Sequence, residues 1–115
     1  MSNSPIDMSV FTELQEATGA DFVGELIETF CDEASVMRGD LNDAAAQDDA
    51  DGFRRAAHSI KSNANIFGAH VLASVAREME LTGLSDDPQE RQSRLDELSA
   101  EMDRAVVALK GFLNG

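Results

Sequence analysis

The sequence predicts an all-α protein, an antiparallel four-helix bundle (up-down-up-down) with a short N-terminal helix as a lid. Three observations carry this expectation. Apolar residues recur at spacings of three and four, never two, which is the period of helices and not of strands. The two prolines, Pro5 and Pro88, each stand where a helix should begin. Short polar breaks join long apolar seams, and short connections make successive helices antiparallel neighbours. At 115 residues the chain suffices for one domain and is too short for two, so residues 1–115 are expected to form a single unit.

The first helix is expected over 9–18, with Val10, Phe11 and Leu14 on one side and Gly19 as its stop. The second spans 20–47, where Val23, Ile27, Phe30, Ala34, Met37, Leu41 and Ala44 make an alternating four–three seam. Gly39 interrupts that seam without ending it. Asp48, Asp49 and Asp51 form a polar break, and an Asp there can accept the first free backbone N–H groups of the next helix. The third helix, 51–67, buries Phe53, Ala57, Ile60, Ala64 and Phe67, and Gly68 closes it. The fourth, 70–83, carries Leu72, Val75, Ala76 and Met79. After a loop with a capping Asp ahead of Pro88, the last helix spans 88–113, its seam running Leu95, Leu98, Met102, Ala105, Leu109 and Phe112. Met37, Met79 and Met102 match these seams and read as core filler.

Composition narrows the function. Apolar residues make up 43% of the chain, enough for a core, although Trp and Tyr are absent and aliphatic side chains, Phe and Met must fill it. A net charge of −13 argues against nucleic acid and anionic membrane as partners, and for a monomer. The lone Cys31 has no partner for an internal disulfide and fits a reducing compartment. The N-terminal residues do not resemble a secretion signal, and no apolar run approaches the ~18 residues that cross a bilayer. A cytoplasmic location is expected.

Against this acidic background, residues 52–77 contain no Asp or Glu, yet include Arg54, Arg55, Lys61 and Arg77. His58 lies in this window, pointing about 140° from the buried side of the third helix. Arg54, Lys61 and Ser62 stand four before, three after and four after it, the spacings at which helical side chains meet. The ring is thus expected to be exposed, surrounded by cations and bordered by a small residue that lets another protein approach. An imidazole nitrogen is a nucleophile that forms covalent intermediates. Phosphoryl transfer asks for alignment and charge stabilisation, which the Lys61 ammonium and hydrogen bonds from Ser62 and Asn65 can supply. A metal site is disfavoured, since no His or carboxylate stands three or four residues from His58.

The run Ala57-His58-Ser59-Ile60-Lys61-Ser62 through Gly68-Ala69 resembles the signature of histidine-containing phosphotransfer (HPt) domains, with Ile60 for the commoner Leu and Ser62 for the commoner Gly. Leu41, Ala45, Asp48, Leu72, Met79 and Glu80 also fall where that family has similar residues. The resemblance implies a phosphorelay intermediate, a phosphocarrier more than an autonomous enzyme, with His58 as phosphoacceptor and Lys61 stabilising the phosphoryl oxygens. Ser62, Asn65 and Gly68 would support the site. It further implies response-regulator receiver domains, or a hybrid histidine kinase, as partners. It implies no cofactor on this chain, with Mg²⁺ held by the receiver. Two other readings stand beside it: a receiver-binding helical adaptor without transfer, and the dimerisation segment of a sensor kinase. Arg54 and Arg55 are either solvated surface or partner-steering cations. Phe11, Phe22 and Leu26 either pack beneath the lid helix or form an apolar docking surface. His70 reads as an ordinary residue in the first turn of the fourth helix.

Overall fold

The computed structural model describes residues 5–114, which form five helices: α1 Met8–Thr18, α2 Ala20–Ala46, α3 Ala50–Ile66, α4 His70–Thr82 and α5 Pro88–Asn114. Helices α2 to α5 close into a ring in which each packs on two neighbours, α2 on α3 and α5, and α4 on α3 and α5. Among the described residues neither diagonal pair approaches closely, so the arrangement is a four-cornered bundle with its core along the centre. The long dimension, 43 Å, matches the about 40 Å expected of a 27-residue helix such as α2. No helix among the described residues is long and apolar enough to cross a membrane.

The seams expected on α2 and α3 are all buried, as are Leu72, Ala76 and Met79 on α4 and Leu98, Met102, Ala105 and Leu109 on α5. Burying each large aliphatic side chain is worth roughly 1.5–3 kcal/mol against leaving it in water. No polar or charged residue is buried as a whole among the described residues, although Arg38 Nε is shielded from solvent without a hydrogen-bond partner. The α5 seam departs from expectation at both ends. Leu95 is only partly buried, and Phe112 is 37% exposed because it lies near the end of the helix, stacked on Phe11 at a centroid distance of 4.3 Å.

Aspartate side chains cap the starts of α1, α3 and α5, whereas α2 and α4 begin at Gly19 and Ala69 without a side-chain cap. Asp49 Oδ1 accepts from Gly52 N–H at 3.0 Å to begin α3, and Asp87 Oδ1 accepts from Gln89 N–H at 3.0 Å ahead of Pro88. Pro5 does not open α1, contrary to its expected role. The cap there is Asp7, which accepts from Ser9 N–H at 2.9 Å. At the opposite end, Arg91 donates to the carbonyls of Ala45 (3.0 Å) and Ser85 (2.6 Å) and to Asp48 Oδ1 (3.1 Å), tying the α2–α3 and α4–α5 connections together.

The lid is seated by the turn between α3 and α4. Gly68 has φ +75°, a left-handed conformation that glycine adopts without penalty. A side chain there would bring its β-carbon to 2.8 Å of Val10 Cβ and 3.0 Å of the Asp7 carbonyl. With hydrogen alone at that position, Asp7 N–H donates to the Gly68 carbonyl at 2.8 Å, and Ile6 and Phe11 sink into the core at 1% exposure each. His70, in the first turn of α4, takes part in this seating. Its Nε2 lies 2.9 Å from Asp7 Oδ2, a second link between the lid segment and α4. That hydrogen bond is the main reason the Asp7 carboxyl is held below its ordinary value.

Candidate functional site

Helices α3 and α4 follow one another through a three-residue turn and pack against each other, and the small Ala57, Ala64, Ala73 and Ala76 are all buried in the bundle. Their antiparallel register brings His58 on α3 level with Glu80 on α4. His58 Nδ1 lies 2.7 Å from Glu80 Oε2, and Lys61 Nζ donates to Glu80 Oε1 at 2.7 Å. One carboxylate therefore holds both residues. The imidazole is 57% exposed, whereas Glu80 and Lys61 are 25% and 24% exposed. A half-open ring thus stands on a more sheltered ionic base.

Glu80 is the residue that local sequence reasoning left without a role. It lies outside the acid-free window and comes into the site from 22 positions away across the bundle. The ring's immediate charged partner is thus a carboxylate, which corrects the expectation of an imidazole surrounded by cations. The hydrogen bond from Lys61, reinforced by that from His58, lowers the Glu80 carboxyl below its ordinary value against the opposing effect of partial burial. An ionised carboxylate only accepts hydrogen bonds. Nδ1 of the neutral ring must therefore carry the proton, which leaves the Nε2 lone pair bare.

The remaining expected site residues separate into two groups. Ser62 and Asn65 are exposed on α3, about one and two turns after His58. Asn63 donates to the Ser59 carbonyl at 2.9 Å and approaches Met37 Sδ at 3.7 Å, so its amide is engaged within the bundle. Gly68 contributes to the site only through the turn that positions α3 against α4.

The pattern that defines the Hpt domain matches residues 25–108, which contain this histidine, lysine and glutamate. The chain belongs to the Hpt domain family. Over 114 residues it is 25% identical to the sensor protein TorS of Escherichia coli (strain K12), a match that takes in 98% of this chain and 11% of TorS. This chain therefore spans only a small part of that relative's length. The crystal structure of histidine-containing phosphotransfer protein B (HptB) from Pseudomonas aeruginosa PAO1 has the same fold. Its TM-score is 0.85 at 24% identity, covering 96% of this chain and 95% of that one.

Within this Hpt domain, the candidate docking residues do not share one fate. Phe11 is core, 1% exposed, and so is removed from any docking surface. Leu26 is half-buried and packs against the core from outside the seam. Phe22 lies outside the buried core, 49% exposed. Arg55 reaches Asp51 at 3.7 Å and lines a groove with Asp40, Asp43 and Asp49, on the α2 flank of α3. Arg54 turns the other way, toward α4, where it covers Gly83.

Proposed function

We propose that His58 is the phosphoacceptor of this domain, taking a phosphoryl group at Nε2 from the aspartyl phosphate of a receiver domain and passing it to another receiver. The observation that carries this reading is the hydrogen bond of His58 Nδ1 to Glu80, which reserves Nε2 as a solvent-facing lone pair.

The step balances without a proton in transit. Nε2 attacks phosphorus in line, the P–O bond to the receiver aspartate breaks, and the electron pair departs on that carboxylate. The ring, still protonated at Nδ1, acquires positive charge as the N–P bond forms. Glu80 stands 2.7 Å from that proton and stabilises the charge where it develops. The Lys61 ammonium has three N–H donors, of which Glu80 takes one, leaving others for the equatorial phosphoryl oxygens. Ser62, exposed one turn after His58, donates to the attached group, and Asn65, exposed a further turn on, supports it. Return transfer reverses the sequence, the acceptor aspartate attacking phosphorus and Nε2 leaving. On this reading the receiver brings the Mg²⁺ that the reaction uses, and the chain works as a monomer.

The test is transfer of label from phosphorylated receiver domains. Acid-labile, alkali-stable label is expected on this chain, absent in His58→Gln, retained in His70→Gln and acquired more slowly in Lys61→Ala. Binding without label in the unaltered protein would replace the shuttle with an adaptor.

A further inference from the structure

In a chain with 22 acidic and 9 basic side chains, a cation without an acidic partner is the exception. Arg38, Arg55, Lys61, Arg91, Arg94 and Arg104 all have carboxylate partners. Among the described residues, Arg54 and Arg77 make no ion pair or hydrogen bond, and Lys110 on α5 is the third such cation. Two of these three therefore belong to the helix pair that carries His58.

Their isolation has a local cause. The carboxylate nearest Arg54 in sequence, Asp51, pairs with Arg55 instead. Glu80, one turn after Arg77, is held by His58 and Lys61, and Glu78 turns to α5, where it meets Arg94 at 4.0 Å. Arg54 lies against Gly83, whose β-carbon, if it had one, would come within 3.1 Å of Arg54 Nη2. The guanidinium thus rests on bare backbone at the end of α4, one turn from His58 on the same face. Arg77 precedes Glu80 by three residues and projects about 60° further from the core on the α3 side of α4. With Arg54 level with Gly83 and His58 level with Glu80, Arg54 and Arg77 stand on either side of His58, about 10 Å apart along the helix axes.

We propose that Arg54 and Arg77 are the specificity-determining cations of this domain, bracketing His58 and engaging the acidic surface around the phosphoaspartate of a docking receiver. The proposal rests on the phosphotransfer reading for the identity of the partner, and it excludes Arg55, which faces an acidic groove on the other flank. The protein as a whole repels an anionic partner, so two unneutralised guanidinium groups make one orientation of approach favourable over all others. Arginine suits this role, since its planar fork pairs with carboxylate or phosphate oxygens two at a time.

The experiment measures association rates of the full chain with a panel of beryllofluoride-loaded receiver domains at low and high salt. Label transfer from the same receivers, phosphorylated, is followed in parallel. Arg54→Gln and Arg77→Gln are each expected to slow association about three- to tenfold at low ionic strength, with the deficit shrinking as salt rises. Arg55→Gln is expected to stay within about twofold of the unaltered protein. Slow association of the two variants together with label on His58 supports both readings, and the same slowing without any label supports the docking pair while removing phosphotransfer. Normal association of Arg54→Gln and Arg77→Gln, or an equal loss in Arg55→Gln, overturns the docking pair even where label transfer proceeds. Failure of every receiver to associate or to transfer label overturns both.

Discussion

Replacing Glu80 by Gln keeps the shape of the side chain and removes its ability to serve two donors. In the native site each carboxylate oxygen accepts one hydrogen bond, His58 Nδ1–H on Oε2 and Lys61 Nζ–H on Oε1, both at 2.7 Å. A glutamine has one accepting oxygen and one donating nitrogen. If its oxygen turns to Lys61, its N–H₂ faces Nδ1 and favours the tautomer in which Nε2 carries the proton and cannot attack. If its oxygen turns to His58, its N–H₂ meets the Lys61 ammonium, donor against donor. Carboxylates that orient metal-bound histidines cost about 10–100-fold when lost, and by the same physics, with the partial solvent access of this pair, Glu80→Gln is expected to cost about tenfold in transfer rate. The competition makes a sharper prediction for the double variant. In a Lys61→Met background the glutamine oxygen is free to accept from Nδ1–H, so Glu80→Gln should cost less there than in the native background. The assay is single-turnover transfer from a phosphorylated receiver for all four members of the cycle, with ¹⁵N chemical shifts of the ring reporting the tautomer. Strict multiplication of the two single effects, with Nδ1 protonated throughout, would refute the shared-carboxylate argument.

Two further expectations concern the lid. Gly68→Ala combines a left-handed conformation with a β-carbon 2.8 Å from Val10 Cβ, and should cost about 2–4 kcal/mol, a fall in Tm of roughly 10 °C by circular dichroism. An unchanged Tm would show that the lid is not clamped through this turn. The Asp7–His70 link should weaken in acid. Because the folded state lowers the Asp7 carboxyl below its ordinary 3.8, the stabilisation is fully present above that value and is lost as pH falls through the lower, folded one. The stability gap between the native protein and Asp7→Asn, followed by denaturant unfolding, should therefore be constant near neutrality and close below pH 3.8. A gap that persists unchanged into stronger acid would assign Asp7 a purely structural capping role.

What the sequence conveyed, and what it withheld, follows from the range of each signal. The seams of α2 and α3 were legible because helical periodicity is local and each repeats over several turns, and the same geometry turned His58 outward. Phe11 remained ambiguous because α1 has only 11 residues, too few for its apolar side to stand out. Ile6 lies before that helix, outside any periodic pattern, and its burial depends on the hydrogen bond from Asp7 to Gly68. The acid-free window around His58 counted neighbours along the chain, whereas electrostatics acts through space. Glu80 entered that window from α4 and changed the ring's immediate environment. Arg54 and Arg55 are adjacent in sequence and equivalent by charge, yet about 100° of helical rotation sends one toward α4 and the other into an acidic groove.

The position of the phosphoryl group on the ring is the most direct measurement. In ¹⁵N-labelled protein phosphorylated by a receiver, phosphorus–nitrogen coupling should appear at Nε2 of His58, with Nδ1 still protonated and hydrogen-bonded to Glu80. Coupling at Nδ1, or phosphorylation of His70 in place of His58, would contradict the account.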